Sequence, residues 1–350
     1  MRVKAPKLLS FRRCVYTFLL AGAVLLATSA NAETRVVGYV PSYKNMSAVV
    51  DKTDLNKLTH INISFLNPSA NGAVAVDGNP VCMPGAASGN AAGSEIHSVV
   101  KKAHQAGVKV LVSVAGGVIP ACSGDWAQLL QPASRAQLVD NLLQFVSDFN
   151  LDGIDIDIEG VLLTAIDEAG NYTPFIQALR SGLPDGKLLT AATASYVGGM
   201  VPESSLPYFD FVTLMSYDSI GPSWGVAGSE HSSFAQAQAD VSLWQSRGLA
   251  KNKLVLGVPF YGYGYGEYRP DYSFADIVAQ FGAEAAEKDL IGKACAGCSY
   301  ITYNGIPTIR NKTRLGLAVG SGVMIWEMDH DGTGEHSLLT VISEEINRKK

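Results

Sequence analysis

Eight short apolar runs rich in β-branched residues alternate with stretches of helical period, and this alternation limits the fold more than any other feature of the chain. The runs fall at 36–40, 58–65, 108–114, 153–159, 188–194, 211–215, 254–259 and 322–326. Helical patterns fall at 94–105, 134–149, 174–181, 234–247, 271–281, 306–319 and 335–347, with Ser134 placed as the N-cap of the second. Strands separated by helices build a parallel sheet, because each crossover lays its helix on a sheet face. Eight such units close most economically into a (β/α)8 barrel, with an open doubly wound sheet as the alternative. No Pro/Thr/Ser-rich linker, low-complexity tract or internal repeat interrupts the series, so one domain is predicted.

The first residues assign the compartment. Arg2, Lys4, Lys7, Arg12 and Arg13 precede an apolar run at 16–27, and Ala30-Asn31-Ala32 follows. A basic start, a short apolar centre and an A-x-A exit predict a cleavable secretory signal over 1–32, with 33–350 as the mature barrel domain. The apolar run is shorter than the roughly 20 residues of a spanning helix, which leaves an uncleaved anchor as the alternative. Export makes the protein extracellular, or periplasmic in a Gram-negative host. The chain holds 27 Lys+Arg and 32 Asp+Glu. Five of those basic residues lie in the leader, so the remainder carries −10. That balance argues against nucleic acid and anionic membrane as partners and suits a neutral polymer. A monomer is expected.

Four cysteines lie beyond the leader: Cys82, Cys122, Cys295 and Cys298. An even count in an exported chain favours disulfides, and of the three pairings Cys82–Cys122 with Cys295–Cys298 is preferred. Cys295-Ala-Gly-Cys298 also fits a redox motif or half a zinc site, but no helix pattern follows it and no second Cys/His pair has ligand spacing. No metal and no cofactor are expected.

Within the fourth run, Leu151-Asp152-Gly153-Ile154-Asp155-Ile156-Asp157-Ile158-Glu159-Gly160, apolar and acidic residues alternate strictly. Successive side chains on a strand point to opposite faces. Ile154, Ile156 and Ile158 therefore share one face and can pack under helices. Asp155, Asp157 and Glu159 share the other, about 6–7 Å apart from one to the next. In a barrel that second face is the interior, where an ionised carboxylate is costly unless paired or hydrogen-bonded. Stability does not explain three acids there; catalysis does. A solvated acidic face on an edge strand is one alternative. A calcium site is another, although these acids lie on a strand and not in an oxygen-rich turn. Glu159 stands last, at the strand end where barrel enzymes place their chemistry. Asp157, one step below, can hydrogen-bond Glu159 or a substrate, and Asp155, deeper still, can share a proton with Asp157. Mutual repulsion should raise at least one pKa, as a general acid at neutral pH requires.

Asp152-x-x-Asp155-x-Asp157-x-Glu159 resembles the signature of family 18 glycoside hydrolases, the chitinase family. Further similarities run along nearly the whole chain after the leader: Val37-Gly38-Tyr39, His60-Ile61-Asn62 through Phe65, Met215-Ser216-Tyr217-Asp218, Lys253 through Gly262, and Gly322 through Glu327. The resemblance implies cleavage of β-1,4-linked N-acetylglucosamine polymers by a retaining mechanism in which the substrate's acetamide attacks, one of the exceptions to the two-carboxylate scheme. It implies that Glu159 protonates the glycosidic oxygen and later activates water, and that Asp157 holds the acetamide N–H. It gives Tyr217 the acetamide oxygen, Asp218 a grip on the distorted sugar and Trp326 the floor beneath it. Asp152, Gly153 and Ser113 are structural parts of the motif. Parity agrees: Met215 shares a face with Tyr217, and Met324 with Trp326. Core packing is the alternative for Tyr217 and Trp326, and it competes evenly with a pocket position for Tyr39 and Phe65. One departure stands out: the family's third strand usually ends S-x-G-G, whereas here Ser113-Val114-Ala115-Gly116-Gly117 puts a methyl group where the first glycine belongs.

Residues 263–321 separate the last two strands and must also supply a helix, so any insertion there is small and the groove is expected to be open and biased toward internal cleavage. Trp224, Tyr263, Tyr265 and Tyr268 either stack on sugars or anchor loops. An endo-β-N-acetylglucosaminidase acting on glycoprotein glycans would use the same core, and so would a sugar-binding barrel without hydrolysis. The latter kind usually lacks the terminal Glu, which is present here.

Overall fold

The computed structural model describes residues 1, 2, 4, 34–87 and 89–348. The chain divides into two compact units, Met1–Ala32 and Glu33–Lys350. The predicted signal segment 1–32 lies almost wholly outside the described residues. Among the described residues no helix is long and apolar enough to cross a membrane.

Eight strands close into a parallel barrel: β1 (Arg35–Pro41), β2 (His60–Leu66), β3 (Lys109–Gly116), β4 (Gly153–Ile158), β5 (Leu188–Thr193), β6 (Phe211–Leu214), β7 (Leu254–Pro259) and β8 (Gly322–Trp326). Each pairs with its neighbours in sequence, and β8 pairs back onto β1. Strand parity sorts the apolar side chains into two bodies. Ile154, Ile156 and Ile158 of β4 join the large core between strands and helices. Val37, Tyr39, Phe211, Val255 and Met324 form a smaller one, drawn from the opposite parity. Each fully buried aliphatic side chain contributes about 1.5–3 kcal/mol. Gly153 lets β4 approach β5: a Cβ there would lie 2.1 Å from the Leu188 carbonyl oxygen.

Several local expectations need correction. Residues 271–281 are not one helix. Asp271–Ser273 pairs with Tyr261–Tyr265 as a strand, and the helix Phe274–Phe281 starts where Ser273 accepts from the Asp276 N–H. Ser134 precedes the helix Arg135–Asp148 but makes no side-chain cap bond. Its backbone is already α-helical, so its hydroxyl is not in the extended geometry that reaches back to the first N–H groups. The last helix runs Leu338–Asn347, beginning after a 3-10 turn, with Ser337 as its cap. Two helices lie outside the predicted patterns: Met46–Lys52, capped by Asn45, and Gly160–Glu168, which begins two residues after β4 ends.

Between β7 and β8 sits a compact insertion. Four short antiparallel strands are ordered Asp271–Ser273, Tyr261–Tyr265, Tyr300–Thr302, Leu290–Gly292. Gly262 permits the crossing, since a Cβ there would sit 2.4 Å from the Thr302 carbonyl oxygen.

The cysteines pair Cys82–Cys122 and Cys295–Cys298. The first bridge joins the segment after β2 to the segment after β3 across a sequence separation of 40. Closing a loop of that length removes unfolded-state entropy worth about 4 kcal/mol in the chain-entropy model, with measured values commonly about 2–4. Replacing Cys82 and Cys122 together by serine is therefore expected to lower unfolding stability by about 2–4 kcal/mol, read as a lower denaturant midpoint at unchanged slope. An unchanged midpoint would mean that packing alone restrains the loop.

Candidate active site at the carboxyl ends of the strands

The β4 register sets the site. Asp155 lies opposite Ser113 of β3 and Thr190 of β5. Its carboxylate accepts from Ser113 Oγ (2.8 Å), Thr190 Oγ1 (2.5 Å) and, from β1, the Tyr39 hydroxyl (2.6 Å). Burial pushes the Asp155 carboxyl up while these donors pull it back. With three hydroxyls on its two oxygens, Asp155 is an anchored group; the structure gives it these partners in place of the proton shared with Asp157 that the spacing suggested.

Asp157 is 3% exposed, and its Oδ1 has no hydrogen-bond partner among the described residues. Burial, then the charges of Glu159 and Asp155, push its carboxyl well up. Glu159 follows β4 directly, with extended backbone, at the N-cap position of the helix Gly160–Glu168. Burial raises its carboxyl to about 7, the Asp218 charge adds to that, and a hydrogen bond with Asp157 opposes it. Gly117 makes room: a Cβ there would stand 3.0 Å from Glu159 Oε1.

A cavity of about 470 Å³ opens above these acids, and Tyr39, Phe65, Asp157, Glu159, Met215, Tyr217, Asp218, Met324 and Trp326 all line it. Sequence reasoning had left Tyr39 and Phe65 between core and pocket; they are at its wall. Trp326 meets Tyr39 edge-on at 5.4 Å and stacks on Phe65 at 5.6 Å. Among the described residues, the Tyr217 hydroxyl has a weak partner, Met324 Sδ at 3.8 Å. A second hollow of about 650 Å³ shares Glu159, Met215, Tyr217 and Asp218 with the first and adds Tyr196 and Trp224. Glu159 therefore stands where two hollows meet.

The remaining motif residues have other places. Asp152 accepts from the Val110 N–H (2.7 Å) and lies 2.8 Å from His104 Nε2, away from the cleft. Ala115 has φ +73°, the left-handed region that favours glycine, and its methyl packs in the large core. The departure from S-x-G-G thus does not place a methyl in the cavity wall. Trp224 is half-exposed and donates to the Asp218 carbonyl oxygen. Tyr265 stacks on Tyr300, Tyr268 packs on Phe281 and Tyr263 on Trp224, so these three tie down the insertion.

Sequence reasoning missed Thr190 and the walls of the cavity: Tyr43, Asn67, Pro84, Val118 and Pro120. Their common signal is position, since each wall residue follows the end of β1, β2 or β3. Tyr196, just past β5, could have been found the same way. Among the described residues, the Glu327–Asp329–His330 group has spacing that could hold a metal ion. Lys52 (2.9 Å) and Lys44 (3.7 Å) already occupy Asp329.

The arrangement provides a half-buried proton donor effective near neutral pH, a desolvated carboxyl below it and an aromatic floor beside both. The family profile described as "Glycosyl hydrolases family 18" matches residues 35–331. The structure resembles that of the GH18 chitinase ChiB from the chitin utilization locus of Flavobacterium johnsoniae, with TM-score 0.76 and 35% identity over 91% of this chain and 95% of the other. A chitinase from Bacteroides thetaiotaomicron gives TM-score 0.73 and 27% identity over 89% and 96%. Among curated relatives, a class V chitinase of Arabidopsis thaliana is 28% identical over 60% of this chain and 59% of its own length. Probable chitinase 10 of Drosophila melanogaster is 25% identical over 64% of this chain, which spans only 12% of that protein.

Proposed function

The chain belongs to glycosyl hydrolase family 18, and on that premise we propose that it hydrolyses β-1,4-linked N-acetylglucosamine polymers, chitin and chitooligosaccharides, with retention at the anomeric carbon. The observation that carries this reading is the Glu159 carboxyl, raised to about 7 by burial at the junction of the two hollows.

Glu159 donates its proton to the glycosidic oxygen as the C–O bond breaks, and the bonding pair leaves with that oxygen. The acetamide oxygen of the same sugar attacks the anomeric carbon and forms an oxazolinium ion. Asp157 takes the acetamide N–H and offsets the positive charge, a role helped by the desolvation that surrounds it. The Tyr217 hydroxyl, weakly engaged with Met324, turns to the acetamide oxygen. Asp218 grips the sugar and Trp326 forms its floor. Glu159, now ionised, removes a proton from water, which opens the ring from the opposite face and restores the acid. Asp155 acts as anchor for the strand beneath.

Hollows on both sides of Glu159 support a chain that extends past the scissile bond in both directions, hence internal cleavage. The leader and the two disulfides support export, and the enzyme is proposed to act as a monomer. The test sets insoluble chitin and defined N-acetylglucosamine oligomers beside an N-glycosylated protein. Soluble oligosaccharides from chitin, with the glycoprotein untouched, are expected. Glycan release with chitin intact would reassign the substrate to glycoproteins, and binding without products would make the barrel a lectin.

A further inference from the structure

We propose that His231 is a positioning residue for Asp218: from behind the cleft wall its ring offers Nδ1–H to the Asp218 carboxylate and, with the Tyr261 hydroxyl, fixes that carboxylate for the sugar. The inference rests on the reading of Glu159 as proton donor.

The His231 side chain has no solvent exposure, and neither ring nitrogen has a hydrogen-bond partner among the described residues. Leaving a buried polar group unpaired costs about 1–3 kcal/mol, so a fold that keeps this imidazole calls for a reason. Asp218 supplies one: its Oδ1 lies 3.6 Å from His231 Nδ1 and accepts from the Tyr261 hydroxyl at 2.5 Å. Polar contacts of a catalytic site are often long before substrate binds and tighten afterwards.

The backbone around the pair is fixed. The His231 carbonyl oxygen accepts from both the N–H and the hydroxyl of Ser219, each at 3.0 Å, and the His231 N–H donates to Thr302 Oγ1 at 3.1 Å. The segment carrying Asp218 and the segment carrying His231 are thus tied together and to the insertion. Asp218 itself has φ +61°, a left-handed conformation that a non-glycine residue keeps only where its surroundings impose it.

The groups facing the imidazole come from every element packed on it. Tyr261 and Tyr263 of the insertion press their rings on it at 5.2 and 5.3 Å, and the Tyr261 backbone also reaches it. Lys312, fully buried on the helix Ile306–Val319, adds a positive charge nearby while bonding Ser232. Burial and that charge hold the imidazole below its usual range, against the pull of Asp218. A neutral ring has one N–H to place, and the carboxylate is its strongest acceptor. The consequence reaches Glu159, whose proton is held partly by the Asp218 charge. A donor on Asp218 dampens that effect, so removing the donor raises the pH at which Glu159 ionises.

The experiment compares wild type, His231→Leu and His231→Gln on a chitooligosaccharide across pH, with Glu159→Gln assayed alongside. For His231→Leu, KM should rise about tenfold, the worth of one hydrogen bond to a charged group, with kcat changed far less. The alkaline limb of kcat/KM should move upward. His231→Gln, whose amide can donate, should recover most of both. Wild-type KM and limb in His231→Leu, with loss confined to melting temperature, would reduce His231 to a packing residue; equal losses in both variants would also overturn the donor role. Should the leucine variant not fold, imidazole nitrogen shifts of the wild-type protein decide: the six histidines include one expected to carry its proton on Nδ1 with an oligomer bound, and a proton on Nε2 of His231 refutes the proposal. Turnover retained by Glu159→Gln would instead remove the premise, whatever His231 does.

Discussion

Glu159→Gln is expected to lower kcat on chitooligosaccharides by roughly 10²–10⁴-fold, the range for loss of a general acid, while oligomer binding is retained. The amide keeps the size of the carboxyl and its place against Gly117, so the cleft should keep its shape. What disappears is a proton that leaves at the right moment. The pH profile gives the same result independently. Burial raises the Glu159 carboxyl to about 7. The protonated form is the donor, so wild-type kcat/KM should fall as pH rises through that value. The residual rate of the Gln variant should lack this limb. An unchanged kcat, or a limb that survives the substitution, would move the acid to another group.

How much of this was legible in the sequence follows from the range of each interaction. The period of two through Gly153–Ile158 fixed both faces of β4 without a structure, because parity is a property of the strand alone. The partners of Asp155 were a different matter. Ser113, Thr190 and Tyr39 come from three other strands, and only register brings their hydroxyls onto one carboxylate. Ser113 could be suspected from its motif, whereas Thr190 sits in an ordinary strand and carried no signal. The helix Gly160–Glu168 was hidden for a local reason: it starts on the residue after Glu159, leaving no loop to mark the change of period. Ala115 shows the limit of motif comparison. Its positive φ explains why glycine is usual there, yet the neighbours Gly116 and Gly117 make the close approaches, to Phe65 and Glu159. The insertion was harder still, because short strands rich in Tyr and Gly read as loop until Gly262 and Gly264 are seen under crossing backbone or side chains.

Asp157→Asn is expected to cost roughly 10²–10³ in kcat, the scale for one preorganised electrostatic group, and the choice of substrate can separate its role from that of Glu159. Asparagine keeps the volume of a site that is 3% exposed, but it brings no negative charge to an oxazolinium ion. A phenolic leaving group departs without being protonated, so an aryl N-acetylglucosamine glycoside should restore much of the first step to Glu159→Gln. It should restore little to Asp157→Asn, because the acetamide must still be aimed and its growing positive charge offset. The neighbouring carboxyls give a further reason for the asymmetry. Asp155 is anchored by three hydroxyls, whereas Asp157 Oδ1 has no partner among the described residues and is free to meet the acetamide N–H. Equal recovery of both variants on the aryl substrate would leave Asp157 with no part in making the new bond, and the attacking group would have to be sought elsewhere in the cleft.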